Sequence, residues 1–181
     1  ATRGHDAYVG LPLADWCGKA RGDVLERVAK RVMEEMVGER AVAPPSGTCV
    51  NGAKKAKTQA PNDFVLVGRY KEVKAALLCW DTHSQIWVAT WQHIKHELHD
   101  DLLLVLYTPL GVFLYQHDGV FGVSTTGRAQ EADGSNVKAY GPCKEPSIAK
   151  ATEAILAKMR PMLLATLALP GREGARGSVT L

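Results

Sequence analysis

The stretch Pro61-Asn62-Asp63-Phe64-Val65-Leu66-Val67-Gly68-Arg69-Tyr70-Lys71-Glu72-Val73-Lys74-Ala75-Ala76 decides how this chain is read. An acidic residue heads a short apolar run, a Gly-Arg pair follows, and a second run carries Glu-X-Lys. Alternate residues of a strand share a face, so Glu72 and Lys74 project side by side. Gly68-Arg69 reads as a two-residue turn with Gly at its first central position, as a type II′ hairpin prefers. That register pairs Val67 with Tyr70, Val65 with Glu72 and Asp63 with Lys74. Asp63 then shares a face with Glu72 and lies diagonal to it, within side-chain reach.

Two neighbouring carboxylates repel, and one of them takes up a proton more readily. A hard cation removes that penalty. Mg²⁺ takes oxygen ligands and keeps several waters, so one or two carboxylates plus a substrate phosphate suffice to hold it. Such an ion stabilises charge on a phosphoryl transition state and acidifies a water. An amine beside it, here Lys74, orients or helps deprotonate that water, or offsets phosphate charge. The plainer reading of Glu-X-Lys is a solvated surface ladder. An Asp at the head of an apolar strand, and a Glu-Val-Lys that runs into the apolar Ala75–Cys79, favour the site.

Working outward, Arg21 to Val37 predicts a helix with an apolar stripe of Leu25, Val28, Val32 and Met36, stopped by Gly38. Residues 39–61 form a long polar connection containing Lys54, Lys55 and Lys57. Strands are expected near 63–67, 70–79 and 85–92, with a short helix over His93 to Asp100. Leu102 to Tyr107 reads as a buried strand, with Val112 to Gln116 as its hairpin partner. Ser147 is placed as the N-cap of a helix carrying Ile148, Ala151, Ile155 and Met159, which Pro161 kinks or ends. No repeat or second domain is visible. The expectation is one domain over 1–181, with a core of about 18–165 and a frayed tail over 171–181.

The Asp63…Glu72-Val-Lys74 pattern resembles the PD-(D/E)XK nuclease superfamily, and within it the type II restriction endonucleases. The resemblance covers about residues 18–160, although a strict Pro-Asp pair is absent because Asn62 stands between Pro61 and Asp63. It implies an α/β fold with a restriction-endonuclease-like αβββαβ core, a central mixed sheet flanked by helices. It also implies that the Val73 carbonyl joins Asp63 and Glu72 as a metal ligand. Gly18–Glu26 resembles the family's opening helix, which implies that Glu26 points at the metal site as an outer ligand. Asp81, the Trp87–Trp91 strand and the run from Asp100 to Tyr107 also look like this group.

The remaining features narrow the function. The 181 residues are 46% apolar and 23% charged, with a net charge of +3 and a pI near 8.7, mildly basic and compatible with a polyanion. No run is apolar over the ~20 residues a membrane span needs, and Ala1–Asp6 holds no signal stretch. An intracellular, cytoplasmic protein is expected. Cys17, Cys49, Cys79 and Cys143 form no CxxC pair, so free thiols are expected rather than zinc. His93, His96 and His99 recur at spacing three, but a solvated helix face is favoured over a metal site. Lys54, Lys55 and Lys57 are candidates for phosphate contacts. Gln92 is a candidate at the rim of the site, and Trp80, Trp87 and Trp91 are expected in the core.

The expected function is Mg²⁺-dependent hydrolysis of DNA phosphodiesters (Mn²⁺ able to substitute), foremost by a site-specific type II enzyme. A homodimer suits a palindromic target in double-stranded DNA. The alternatives are another nuclease of the superfamily (homing, junction-resolving, repair or RNA-cutting) and a non-catalytic DNA-binding module on the same fold.

Overall fold

The computed structural model describes residues 5–45, 63–95, 98–119, 135–141 and 147–170. A 3-10 turn at His5–Tyr8 precedes helix α1, Gly18–Val37. Strands β1 (Phe64–Leu66), β2 (Arg69–Leu77), β3 (Cys79–Asp81), β4 (Ile86–Ile94), β5 (Asp101–Thr108), β6 (Gly111–Gln116) and β7 (Ser135–Tyr140) follow. Helix α2 (Ile148–Met159), a 3-10 turn (Arg160–Met162) and β8 (Leu163–Leu167) complete the described chain.

α1 ends as expected. Gly38 takes φ 77°, and its N–H donates to the Glu34 carbonyl, a conformation that costs glycine nothing. The stripe that α1 buries is Leu25, Ala29 and Met33, however, while Met36 is 42% exposed. The expected stripe is therefore rotated: the line Leu25-Ala29-Met33 faces the sheet, and Val32 packs at its edge.

A mixed five-stranded sheet runs β1-β2-β5-β6-β8, and an antiparallel three-stranded sheet runs β3-β4-β7. The strand expected over 70–79 breaks at Leu78, where the chain leaves the first sheet for the second. The β3–β4 hairpin thus acts as a crossover, and β5 returns parallel to β2. The strands expected near 63–67, 70–79 and 85–92 would belong to one central sheet; the third instead belongs to the smaller sheet. β4 continues to Ile94, so no helix starts at His93. All eight residues of β5 are buried, as a strand covered on both faces must be.

Two apolar layers sandwich the mixed sheet. On one face Val73, Leu103, Val105 and Tyr107 pack with Phe64, Leu66 and the α1 stripe. On the other, Ala76, Leu102, Leu104 and Leu106 meet Trp80, Trp87, Trp91 and Ile94 of the second sheet and Ala151, Ile155 and Met159 of α2. The three tryptophans are core residues, as expected. Trp91 sends its indole N–H to the Val105 carbonyl at 2.9 Å, tying one sheet to the other.

α2 starts after Ser147, although the Ser147 side chain makes no capping hydrogen bond. Past Pro161 the chain enters β8, which adds to β6 as a further strand of the sheet. Among the described residues no helix is long and apolar enough to cross a membrane.

Candidate active site

The β1–β2 hairpin exists, but with a different turn. Leu66 pairs Arg69, Val65 pairs Tyr70 and Phe64 pairs Lys71. The central residues are Val67 (φ 52°) and Gly68 (φ 69°), both left-handed, as a type I′ turn requires. Relative to the expected pairing, every partner shifts by two. A shift of two keeps each side chain on its face, so Asp63 still joins the face of Glu72.

Asp63 stands just before β1. Its N–H donates to the Lys71 carbonyl at 3.1 Å, and its Oδ2 accepts the Val73 N–H at 2.5 Å. The carboxylate so occupies the place that a strand neighbour's carbonyl would fill beside β2. In a strand the N–H and C=O of one residue leave on the same side, so the Val73 carbonyl also faces that side. Glu72 and Lys74 form an ion pair at 2.6 Å, with side chains 16% and 25% exposed.

The electrostatics follow from this crowding. Burial, the Glu72 charge and the Glu26 charge push the Asp63 carboxyl up to about 7; its bond from the Val73 N–H and the Lys74 charge oppose the shift. Glu26, half-buried on α1, is also raised, by burial first and then by Asp23 and Glu72, while Lys74 and Arg27 oppose. Asp63, Glu72, Glu26 and Lys74 therefore feel one another's charge. Among the described residues no three His, Cys, Asp or Glu side chains form a ready ligand cluster. The oxygen donors for a cation are the carboxylates of Asp63 and Glu72 and the backbone carbonyl of Val73, which lies between Glu72 and Lys74 in sequence, and Glu26 acts from farther off. This donor set suits a hard cation that retains water. A proton-binding, buried carboxyl beside a second carboxylate is the group that such a cation relieves.

Sequence reasoning did not find a second charged cluster. Asp101, at the start of β5, accepts from Arg69 Nε and Nη2 (both 2.8 Å), from the Lys71 ammonium and from Gln116 Nε2 (3.3 Å). The Arg69 bonds and then the Lys71 bond hold its carboxyl down at about 2 against the effect of burial. The side chains of Lys71 and Asp101 are each under a tenth exposed. Parallel pairing sets Lys71 opposite Asp101. The available signal was a polar Asp at the head of an apolar run and a Lys alternating with Val73. A cleft of about 630 Å³ opens beside this cluster, bordered by Arg69, His99, Asp101, Gln116 and His117.

Other expected residues lie apart. Gln92 is exposed on the outer face of the second sheet. His93 belongs to β4 and His99 is buried before β5, so they do not share a helix face; His96 lies outside the described residues. Asp81 caps the β3–β4 turn by accepting the N–H groups of His83 and Ser84. Cys17 and Cys79 are free thiols. Lys54, Lys55, Lys57, Cys49 and Cys143 lie outside the described residues. No family model matches the chain, and no curated protein or solved structure matches it either.

Proposed function

We propose that this chain is a Mg²⁺-dependent endonuclease of the PD-(D/E)XK kind that hydrolyses DNA phosphodiester bonds, foremost as a site-specific type II restriction enzyme acting as a homodimer. One observation carries the reading: the Asp63 carboxylate is locked onto the Val73 N–H beside the Glu72–Lys74 pair. A hard cation held by Asp63, Glu72 and the Val73 carbonyl would supply charge stabilisation for the phosphoryl transition state and a more acidic water.

The chain's own groups have definable parts. Asp63 is fixed by its backbone hydrogen bond, so its free oxygen keeps one direction. With its carboxyl pushed up to about 7 it titrates near neutral pH when no cation is near, and a bound cation would favour the ionised form. The Lys74 ammonium, held at Glu72, offers two further N–H donors. They can orient the attacking water and meet the phosphate charge that grows in the transition state. Glu26 adds negative potential from α1 and so favours cation over anion at the site.

The test is conversion of supercoiled plasmid with Mg²⁺. Asp63→Ala and Glu72→Ala should abolish cutting while leaving the fold intact by circular dichroism. Lys74→Ala should slow single-turnover cutting by roughly 100-fold or more with little change in divalent-ion affinity. Full Mg²⁺-dependent cutting by Asp63→Ala would sink the assignment. DNA binding without any cutting by the wild type would point to a non-catalytic module.

A further inference from the structure

β3 pairs β4 only over Ile86–Val88. Beyond that point β4 and β7 continue as a two-stranded ribbon, with Thr90 opposite Lys138 and Trp91 opposite Val137. Trp87, Ala89 and Trp91 point into the core, so Thr90 and Gln92 point outward. Simple alternation would then turn His93 inward and Ile94 outward. The pairing instead shifts between Trp91 and Ile94, and His93 takes φ 58°. One extra residue restores Ile94 to the core at 0% exposure and leaves Gln92 and His93 both exposed. The His93 N–H is held by the Asn136 side-chain oxygen at 3.3 Å.

This bulge projects two adjacent polar side chains from one strand. Lys95, Lys138 and Asn136 are exposed around them. The outward residues from Thr90 to Lys95 and at Asn136 and Lys138 include amides, an imidazole and ammonium groups, and no carboxylate. The position in the fold is also specific. Trp91 bonds the Val105 carbonyl, and Val105 lies beside Ala75. From there the chain must reach Asp101, which lies beside Lys71. β4 thus crosses the central strand at Val105, and the chain beyond the bulge leads on to the head of β5 at Asp101.

We propose that the bulged β4–β7 ribbon is the base-reading surface for double-stranded DNA, with the Gln92 amide on a base edge in the major groove and Lys138 on a neighbouring phosphate. The inference takes its partner from the nuclease reading and adds the recognition element to it. The major groove admits a two-stranded ribbon, and a Gln amide matches the donor–acceptor pair of adenine. A lysine on the flank supplies sequence-independent attraction. Bulges re-aim side chains next to functional sites; here the bulge exposes Gln92 and His93 together without uncovering the core.

The experiment is selection of duplexes from a randomised library by the full chain in Ca²⁺, followed by equilibrium binding of the enriched and a random duplex. Melting curves check that each variant is folded. The wild type should enrich a motif. Gln92→Ala should lose preference at one base pair, lowering the enriched-to-random affinity ratio by about 5- to 150-fold. Lys138→Ala should weaken both duplexes alike and reduce the log–log salt slope by up to ~0.9, with the motif kept. An unchanged motif in Gln92→Ala, or no motif in the wild type, overturns the proposal. Enrichment that depends on Gln92, without Mg²⁺ cutting, keeps the ribbon and removes the nuclease. Cutting that depends on Asp63, with a motif indifferent to Gln92, does the reverse.

Discussion

Asp63 carries a stability signature as well as a chemical one. Its carboxyl is raised from 3.8 to about 7 in the folded chain, chiefly by burial and by Glu72. A raised folded-state pKa means the fold binds the proton more tightly than the unfolded chain does. The contribution of Asp63 to stability is thus fully present below about pH 4 and is lost as pH climbs to about 7; past that, the ionised group costs at most on the order of 4 kcal/mol. Asp63→Asn keeps an acceptor for the Val73 N–H and removes the charge. Without divalent ions it should raise the melting temperature at pH 8 and hardly change it at pH 4. Mg²⁺ should stabilise the wild type at pH 8 far more than the variant. Equal melting of the two at pH 8 without metal would count against a crowded carboxylate. Asp101 behaves oppositely. Its carboxyl is held down at about 2 by Arg69 and then Lys71, so its contribution is complete above pH 4 and is lost as pH falls from about 4 to about 2. Asp101→Ala would leave the buried Lys71 ammonium uncompensated, at a cost of about 3–5 kcal/mol in urea unfolding at pH 7. A cost below 1 kcal/mol would show that water reaches Lys71 freely.

At the scale of elements, the β1–β2 turn is a place where the sequence works against its own conformation. Val67 is β-branched, 57% exposed and left-handed at φ 52°, a combination that L residues avoid. Asn tolerates this region, and Asn-Gly is the preferred pair of a type I′ turn. Val67→Asn should therefore stabilise the chain by about 1 kcal/mol, read as a higher midpoint in urea with an unchanged slope. A loss of stability would mean that the exposed isopropyl group makes a contact worth more than the strain. The turn also explains why the hairpin was legible but its register was not. Period-two alternation fixes which face Asp63, Glu72 and Lys74 occupy, and a slip of two leaves that pattern untouched. The rotated stripe of α1 has a similar origin. Three- and four-residue spacing fits both Leu25-Val28-Val32 and Leu25-Ala29-Met33, and only the partner surface selects one.

For the whole molecule, Trp91 is the cross-piece. Its ring lies in the layer between the sheets at 0% exposure, and its N–H meets a carbonyl of the central strand β5. Trp91→Ala should cost about 3–5 kcal/mol through the cavity alone. Trp91→Phe should cost less, roughly 0.5–1.5 kcal/mol for the hydrogen bond to the Val105 carbonyl that the phenyl ring cannot make. If the layers form one cooperative unit, near-ultraviolet and far-ultraviolet dichroism should lose signal at one midpoint in both variants. Two separated transitions would show that the β3-β4-β7 sheet melts by itself.

What the sequence alone determined is what local rules encode: α1 and its Gly38 stop, the β5–β6 hairpin, the start of α2, and one face bearing Asp63, Glu72 and Lys74. These depend on repeat spacing and turn residues within a few positions of one another. Tertiary structure decided the rest. It moved the third strand to a second sheet, set β5 parallel to β2 and turned the residues after Pro161 into an eighth strand. It also brought Lys71 to Asp101, thirty positions away. Those outcomes arise from which apolar faces cover one another. An apolar run such as 101–108 states that it is buried on both sides, and it cannot state by which neighbours.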